Sequence, residues 1–136
     1  MNSFNHYSFG SVGQWMLAYS LGIQRDESGF KKFVLQPRPD PTLQMTWARG
    51  FYDSMYGRIS SSWKTENGIF TYEASVPANT TAKLYLPASS VGSITENGKP
   101  VKKSKGVTFI SYEDGKAIFE LASGTYIFTA EAFTHQ

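Results

Sequence analysis

The sequence contains no cysteine and only two histidines, His6 and His135, among its 136 residues. Without thiols, a disulfide framework, a cysteine nucleophile and a thiolate zinc site are all excluded. Two histidines are too few for a zinc constellation. A calcium site of oxygen ligands stays open, although no loop shows the acidic spacing of such a site. We therefore expect no cofactor, and the compartment stays undetermined between cytoplasm, periplasm and secretion.

The sequence also lacks a large excess of either charge and any long apolar run. Thirteen basic and eleven acidic residues give a net charge of +2, which is too small to indicate a nucleic-acid partner. No run approaches the ~18 apolar residues of a membrane span, and the first residues lack the basic and apolar regions of a signal peptide. The apolar fraction of 40% is typical of one globular domain with at most one appended helix.

Helical periodicity is confined to the start of the chain. Apolar residues recur there at steps of three and four, which predicts an amphipathic helix over residues 9–21. Ser8 or Ser11 can cap its start, and Gly22 followed by Ile23 is typical of a left-handed stop with a hydrophobic contact. Residues 24–29 are interpreted as a polar linker, and no later segment offers a partner helix. The apolar face consists of Phe9, Val12, Trp15, Met16 and Tyr19.

Beyond the linker the apolar period changes from 3.6 to two, which is typical of strands with one buried and one solvated face. Four dipeptides mark tight turns between these strands: Asn67-Gly68, Asn97-Gly98, Asp114-Gly115 and Ser123-Gly124. Together they predict a mainly β fold, an antiparallel β-sandwich of Greek-key or jelly-roll type preceded by one amphipathic helix. The predicted core is Leu43, Met45, Trp47, Ile59, Trp63, Phe70, Tyr72, Leu84, Leu86, Phe119, Tyr126 and Phe128.

Several segments carry a resemblance to a known family. Residues 2–16 read NSFNHYSFGSVGQWM, and they are followed by GFKKFVLQP at 29–37, SSSW at 60–63, VPANTTA at 76–82 and YLP at 85–87. The chain resembles the C-terminal part of bacterial α-L-rhamnosidases over nearly its whole length. In that family an N-H-Y-x-F-G segment opens the last helix of an (α/α)6 catalytic barrel, and a β-sandwich follows. The resemblance implies two units, residues 1–28 as the last barrel helix with its linker and residues 29–136 as the sandwich.

The resemblance also implies a function. The parent enzyme would hydrolyse terminal α-L-rhamnose with inversion, and its acid and base would come from barrel residues upstream of the N-H-Y segment. His6 would line the sugar pocket, with a weaker expectation for Asn5. On residue type alone, His6 is better explained by hydrogen bonds to backbone groups at a helix N-terminus. The resemblance favours the sugar contact.

Inverting hydrolysis needs two carboxyl groups roughly 6.5–9.5 Å apart, and no such pair is evident in this chain. Glu73 and Glu120 have the parity of the solvated face, while Asp53 is explained by an Asx-type hydrogen bond. Two other acidic pairs, Asp26-Glu27 and Glu113-Asp114, fall in predicted loops or turns. We therefore predict that the chain alone is inactive and contributes a non-catalytic scaffold to a glycosidase.

Other classes of function stay open at this point. Trp47 and Trp63 could be stacking platforms of a free-standing carbohydrate-binding sandwich, although their parity favours the core. An immunoglobulin-like adhesion module is a further alternative. The lysines at 99, 102, 103 and 105 could face an anionic polysaccharide but are better explained as a solvated face. Asn79-Thr80-Thr81 matches a glycosylation acceptor, for which a turn is the better explanation. The unpartnered helix predicts a homodimer formed through its apolar face.

Overall fold

The computed structural model describes residues 20–26, 29–39 and 46–131. Within these ranges the chain forms eleven strands. They are β1 (Ile23–Asp26), β2 (Gly29–Leu35), β3 (Trp47–Ser54), β4 (Gly57–Glu66), β5 (Ile69–Val76), β6 (Thr81–Pro87), β7 (Thr95–Glu96), β8 (Lys99–Pro100), β9 (Val107–Glu113), β10 (Lys116–Leu121) and β11 (Gly124–Glu131). Two short 3-10 turns, Val91–Ser93 and Val101–Lys103, flank β7 and β8. The predicted mainly β class is confirmed.

The strands form two sheets. The first sheet has the order β1-β2-β6-β10-β9 and the second the order β3-β4-β5-β11-β7-β8. All neighbouring strands are antiparallel except β2 and β6, which run parallel with Phe33 opposite Ala82. The parallel pair departs from the all-antiparallel prediction. It arises because the chain leaves the first sheet after β2, builds β3, β4 and β5 in the second, and then returns as β6.

One core cluster joins the inner faces of both sheets. Phe119 of β10 stacks on Phe128 of β11 with ring centroids 6.0 Å apart, which is a direct contact between the sheets. Within the second sheet, Trp63 and Phe70 lie 6.1 Å apart. Nine members of the predicted core are confirmed as buried, namely Ile59, Trp63, Phe70, Tyr72, Leu84, Leu86, Phe119, Tyr126 and Phe128. Leu43 and Met45 lie outside the described residues.

Trp47 is the predicted core residue that the structure contradicts, because its side chain is 61% exposed. The prediction extended one alternating pattern from Leu43 through Trp47. In the structure β3 begins at Trp47, and its inward parity is set by Ala48, which lies opposite Trp63, and by Tyr52, which lies opposite Ile59. Trp47 therefore points to the outer face of the second sheet.

Three hairpin turns have the backbone that their sequences predict. Asn67, Asn97 and Asp114 have φ angles of 54°, 53° and 52°, and the glycine that follows each one also has a positive φ. Two consecutive left-handed residues define the turn whose twist matches antiparallel strands. Asx-Gly pairs are favoured there because they tolerate this conformation.

The linker interpretation of residues 24–29 is wrong, because Ile23–Asp26 forms β1 and pairs with β2. Its polar sequence misled the prediction, since a short edge strand gains its order from backbone pairing rather than from its own apolar alternation. Gly22 has the predicted left-handed conformation with a φ of 70°, and Ile23 is buried beside it. Ser20 and Leu21 are helical, while residues 1–19 of the predicted helical unit lie outside the described residues. The boundary at residue 29 stays a prediction.

Candidate functional site

The predicted sugar-contact residues, Asn5 and His6, lie outside the described residues. The carboxylates that the structure describes do not form a catalytic pair. Asp53 accepts from the Arg58 guanidinium at 2.7 Å, and Glu73 and Glu120 are exposed on outer faces, as predicted. No cluster of three or more potential metal ligands occurs within residues 20–26, 29–39 and 46–131. The same part of the chain contains no helix with the length and apolar character needed to cross a membrane.

The most highly organised polar site is the place where the chain enters β1, which we call the entry junction (residues 20–22 with Gln36, Arg38, Ser61, Trp63 and Tyr72). Three successive backbone carbonyls are held there. The Ser20 oxygen accepts from the Arg38 backbone N–H at 2.7 Å, and the Gly22 oxygen accepts from the Gln36 N–H at 3.0 Å. The Leu21 oxygen between them accepts from the Ser61 hydroxyl at 2.9 Å. The last carbonyls before β1 are thus satisfied by the segment that follows β2 and by β4.

Two side chains of β4 and one of β5 complete the junction from the inner face of the second sheet. The Trp63 indole N–H donates to the Ser20 oxygen at 3.1 Å, as a second donor to that carbonyl. The Ser61 and Tyr72 hydroxyl oxygens lie 2.8 Å apart. Because a serine has one hydroxyl hydrogen and Ser61 donates it to Leu21, Tyr72 must be the donor in this pair. The result is a directed chain of bonds from Tyr72 through Ser61 to the Leu21 carbonyl.

The side of the junction that faces the second sheet is buried. Ser20, Ser61, Trp63 and Tyr72 are all buried, and the described residues contain no buried side-chain polar atom that lacks a partner. Burial raises the pKa of the Tyr72 phenol well above its ordinary value. The phenol therefore stays protonated and keeps its hydrogen for Ser61 throughout the physiological range.

Gly22 allows the backbone of residue 22 to lie unusually close to the backbone of residue 36. A β-carbon on this residue would lie 1.9 Å from the backbone oxygen of Gln36 and 2.2 Å from its carbonyl carbon. Neither atom can move without breaking the pairing of β1 with β2, and the positive φ of Gly22 also disfavours any other residue. The backbones of residues 22 and 36 consequently meet in a contact that only glycine permits.

Sequence reasoning predicted part of this junction. It identified Gly22 as a left-handed stop and placed Trp63 in the core. Ser61 was missed, although its position between Ile59 and Trp63 on the inward parity of β4 marks it as a polar residue facing the core. Such a residue needs a buried partner. The identity of that partner, the Leu21 carbonyl 40 residues earlier, depends on tertiary structure that the local pattern does not contain.

The outer face of the second sheet carries a second polar and aromatic region. Arg58 stacks on the Phe51 ring, with its guanidinium carbon 3.6 Å from the ring centroid, while it binds Asp53. Trp47 lies on the same strand and the same face as Phe51. Trp63 is only 2% exposed, so the two tryptophans lie on opposite faces. They do not form the pair of sugar platforms considered from the sequence.

The model of the bacterial α-L-rhamnosidase C-terminal domain matches residues 22–100, which begin at the entry junction and include β1 to β8. The chain belongs to this family. The matched residues include strands of both sheets and the junction residues Gly22, Gln36, Ser61, Trp63 and Tyr72, while β9, β10 and β11 lie beyond the match.

Curated α-L-rhamnosidases resemble the chain over most of its length. The enzyme of Streptomyces avermitilis is 41% identical over 129 residues, which cover 95% of this chain and 12% of that protein. The Formosa agariphila enzyme is 32% identical over 131 residues, covering 96% and 14% respectively. The crystal structure of the Streptomyces avermitilis α-L-rhamnosidase in complex with L-rhamnose matches 88% of the chain and 11% of that enzyme, with 35% identity and a TM-score of 0.73.

The α-L-rhamnosidase C-terminal domain therefore spans about an eighth of the length of the curated enzymes it matches. These matches also include residues outside the family model, since they cover nearly the whole chain. The described part of the chain supplies an ordered β structure with a fixed entry point. Among its acidic residues, Glu73 and Glu120 are solvated, Asp53 is ion-paired with Arg58, and Glu96 accepts hydrogen bonds from the Ser104 hydroxyl and the Ile127 backbone N–H.

Proposed function

We propose that the chain is the non-catalytic C-terminal scaffold of a glycoside hydrolase that removes terminal α-L-rhamnose with inversion. The observation that carries this proposal is the entry junction, where the backbone N–H groups of Gln36 and Arg38 and the side chains of Ser61 and Trp63 hold three successive carbonyls of the incoming chain. A scaffold needs such a fixed connection, because a mobile linker would not transmit the position of the sandwich to the preceding segment. Family membership supplies the reaction and the substrate class.

The two sheets are best described as a β-sandwich of Greek-key or jelly-roll type. The Phe119–Phe128 stack between β10 and β11 supports face-to-face packing, and the return from β5 to β6 supports a crossover between sheets. In this proposal residues 29–136 form the sandwich, and residues 1–28 form the last helix of the catalytic barrel with its connection. The pairing of β1 with β2 makes that connection rigid.

His6 is proposed to contact the bound rhamnose, with Asn5 as a weaker second contact. If residues 9–21 form the predicted helix, its 1.5 Å rise per residue separates the two ends of that helix by about 18 Å. A displacement of the entry junction would move such a helix, and with it the segment that is proposed to contact the sugar. The scaffold would then act on the sugar pocket without touching the substrate.

A graft into a known enzyme tests this proposal. This chain would replace the matching 129 residues of the Streptomyces avermitilis α-L-rhamnosidase, and release of nitrophenol from an aryl α-L-rhamnoside would be measured. We expect an active graft, an inactive isolated chain, and a loss of about one to two decades in kcat/KM for His6→Ala in the graft, because a sugar hydroxyl loses its partner. Turnover by the isolated chain, or unchanged efficiency of His6→Ala, would contradict the corresponding part.

A carbohydrate-binding module is the second candidate, and the exposure of Trp47 on the outer face favours it. An exposed indole can stack on a sugar ring. Isothermal titration of the chain with L-rhamnose or a rhamnan would distinguish the candidates. Heat of binding that the unaltered chain gives and Trp47→Ala does not would support a binding module. If neither protein gives heat of binding, the scaffold remains the proposed function.

The apolar face predicted for residues 9–19 supports one more proposal. In the isolated chain this face would lack the barrel, so two chains would pair through their helices. Trp15→Lys would place a charge at the centre of that face and should keep the chain monomeric in light scattering. Equal association of Trp15→Lys and the unaltered chain would show that the helix face does not drive pairing.

A further inference from the structure

β9 is an open edge of the first sheet. Val107–Glu113 pairs only with β10, and the described chain places no strand on its other side. In an antiparallel strand with one neighbour, every second residue directs its N–H and C=O groups away from that neighbour. The seven residues of β9 include no proline and one charge, at the last position. Such an edge is a template for pairing with another strand.

Apolar side chains are exposed along this edge. Phe109, Ile110 and Tyr112 are each more than one third exposed, with Ile110 the most at 49%. A register shift opposite Ile118 and Phe119 makes Ile110 the extra residue of a bulge. The opposite sheet ends in β3, whose edge is interrupted by the charged Arg49 and Asp53. Charges of that kind protect an edge from pairing, and the centre of β9 has none.

The two ends of β9 carry opposite charge. Lys102, Lys103 and Lys105 precede the strand and are exposed, and the Lys102 ammonium lies 5.4 Å from the Phe109 ring centroid. Glu113 and Asp114 end it and are also exposed. None of these five groups forms an ion pair with another described residue. Lys116 lies opposite Glu113 on the β10 side, so the acidic end keeps one net negative charge.

We propose that β9 is a self-association surface, on which β9 of a second copy of this chain pairs antiparallel about a two-fold axis near Ile110. A two-fold axis makes the contact self-complementary. The bulge at residue 110 interrupts the alternation, so regular pairing is confined to the residues on either side of it, and the antiparallel direction brings the residues that precede β9 in one copy near those that end β9 in the other. The lysines of each copy then lie beside Glu113 and Asp114 of the other, and the exposed side chains of Phe109 and Ile110 are covered. The charge pattern selects an antiparallel partner, because a parallel one would bring like charges together.

This surface is independent of the helix face proposed above and does not rest on the glycosidase function. Sedimentation equilibrium of the full chain over a range of concentrations tests it. Ile110→Lys places a charge at the centre of the proposed interface, and we expect its dimer to dissociate at least about tenfold more readily. Ile127→Lys is the matched control, because Ile127 is also partly exposed but lies on β11, which has a neighbour on each side.

A charge exchange tests the antiparallel register. Lys105→Glu and Glu113→Lys should each weaken dimerisation, because each places like charges together across the axis. The double variant restores opposite charges and should recover most of the loss. Added salt should weaken the dimer of the unaltered chain, because these charges are exposed and screened. Further loss in the double variant would overturn the register and with it the proposal.

Three results would overturn the surface itself. The first is a chain that stays monomeric at every concentration. The second is an Ile110→Lys variant that associates as well as the Ile127→Lys control. The third is association that survives Ile110→Lys but is abolished by Trp15→Lys, which would assign self-association to the helix face.

Discussion

The Trp63 indole and the Ser61 hydroxyl donate to two successive carbonyl oxygens in a site closed to water. A buried acceptor that loses its donor retains its desolvation cost without the compensating bond. Trp47 lies on the neighbouring strand but faces outward and is mostly exposed. These two tryptophans therefore offer a matched pair for measuring what the junction contributes.

Trp63→Phe should lower the free energy of unfolding by about 1–3 kcal/mol, because the Ser20 carbonyl loses one of its two donors and the core loses volume. Trp47→Phe should change it by less than about 0.5 kcal/mol, as an exposed substitution usually does. Urea denaturation of the three proteins measures both values. Equal effects of the two substitutions would argue against a structural role of the Trp63 hydrogen bond.

Gly22→Ala should destabilise the chain far more than Gly68→Ala. Both glycines have a positive φ, of 70° and 78°, so both substitutions carry the ~1–2 kcal/mol cost of a left-handed residue. Only the β-carbon at position 22 would overlap backbone atoms, since position 68 has nothing within 4 Å. We expect thermal denaturation to show a folded Gly68→Ala and a largely unfolded Gly22→Ala. Similar denaturation temperatures for the two variants would mean that the backbone of residue 36 leaves more room for a β-carbon at position 22 than the structure indicates.

Tyr72 makes the stability depend on alkaline pH. Burial raises the pKa of its phenol in the folded state, whereas the unfolded chain ionises near the ordinary value of about 10. Above that pH the unfolded state binds fewer protons than the folded state, so stability falls as pH rises. The pKa of Tyr126 is also raised, by burial and then by the charge of Glu96, and it contributes in the same direction. Urea titrations at pH 8 to 11 should give a shallower decline for Tyr72→Phe, and an unchanged slope would contradict the assignment.

At the scale of single elements, the local patterns of β4, β5, β6, β10 and β11 were sufficient to predict which side chains face the core. The Asn-Gly and Asp-Gly turns were predictable for the same reason, because their conformation depends on two adjacent residues. β3 was predicted in the wrong parity at Trp47, since nothing local marks where the strand begins. β1 was missed because its order comes from pairing with β2, which a polar sequence does not reveal.

Hydrogen exchange distinguishes the strand β1 from the linker that its sequence suggests. The backbone pairs Ile23 with Leu35 and Gln24 with Val34, so amides of β1 bonded to β2 should exchange many times more slowly than those of an unstructured peptide. The tip of the β3–β4 hairpin at Met55 and Tyr56, both exposed, serves as the internal reference for fast exchange. Exchange in β1 as fast as at this tip would restore the linker interpretation.

At the scale of the whole molecule, the sheet order and the parallel β2–β6 pair could not be predicted from the sequence. They depend on contacts between residues about 50 positions apart, such as Phe33 with Ala82, for which periodicity carries no information. The entry junction has the same origin, since Ser61 and Trp63 bind carbonyls about 40 residues earlier. Asn5 and His6 rest on the family resemblance and stay predictions.

Local sequence patterns therefore determine which strand faces are buried and where the hairpin turns form. The entry junction depends instead on contacts between residues that are distant in the sequence. That connection joins the two sheets to the segment on which the sugar contact is proposed. We expect a scaffold of this kind to influence catalysis only through the position of the preceding segment. The scaffold should affect catalytic efficiency only when the preceding segment is part of an active site.

The most direct test of this scaffold role is the kcat/KM of the Streptomyces avermitilis graft with Trp63→Phe, compared with Trp47→Phe, on an aryl α-L-rhamnoside below the unfolding temperature of both. We expect Trp63→Phe to lose about threefold to tenfold in kcat/KM, since a small displacement of the junction is carried to the sugar pocket. Trp47→Phe should match the unaltered graft. Equal efficiency of all three folded grafts would contradict a positioning role for the entry junction.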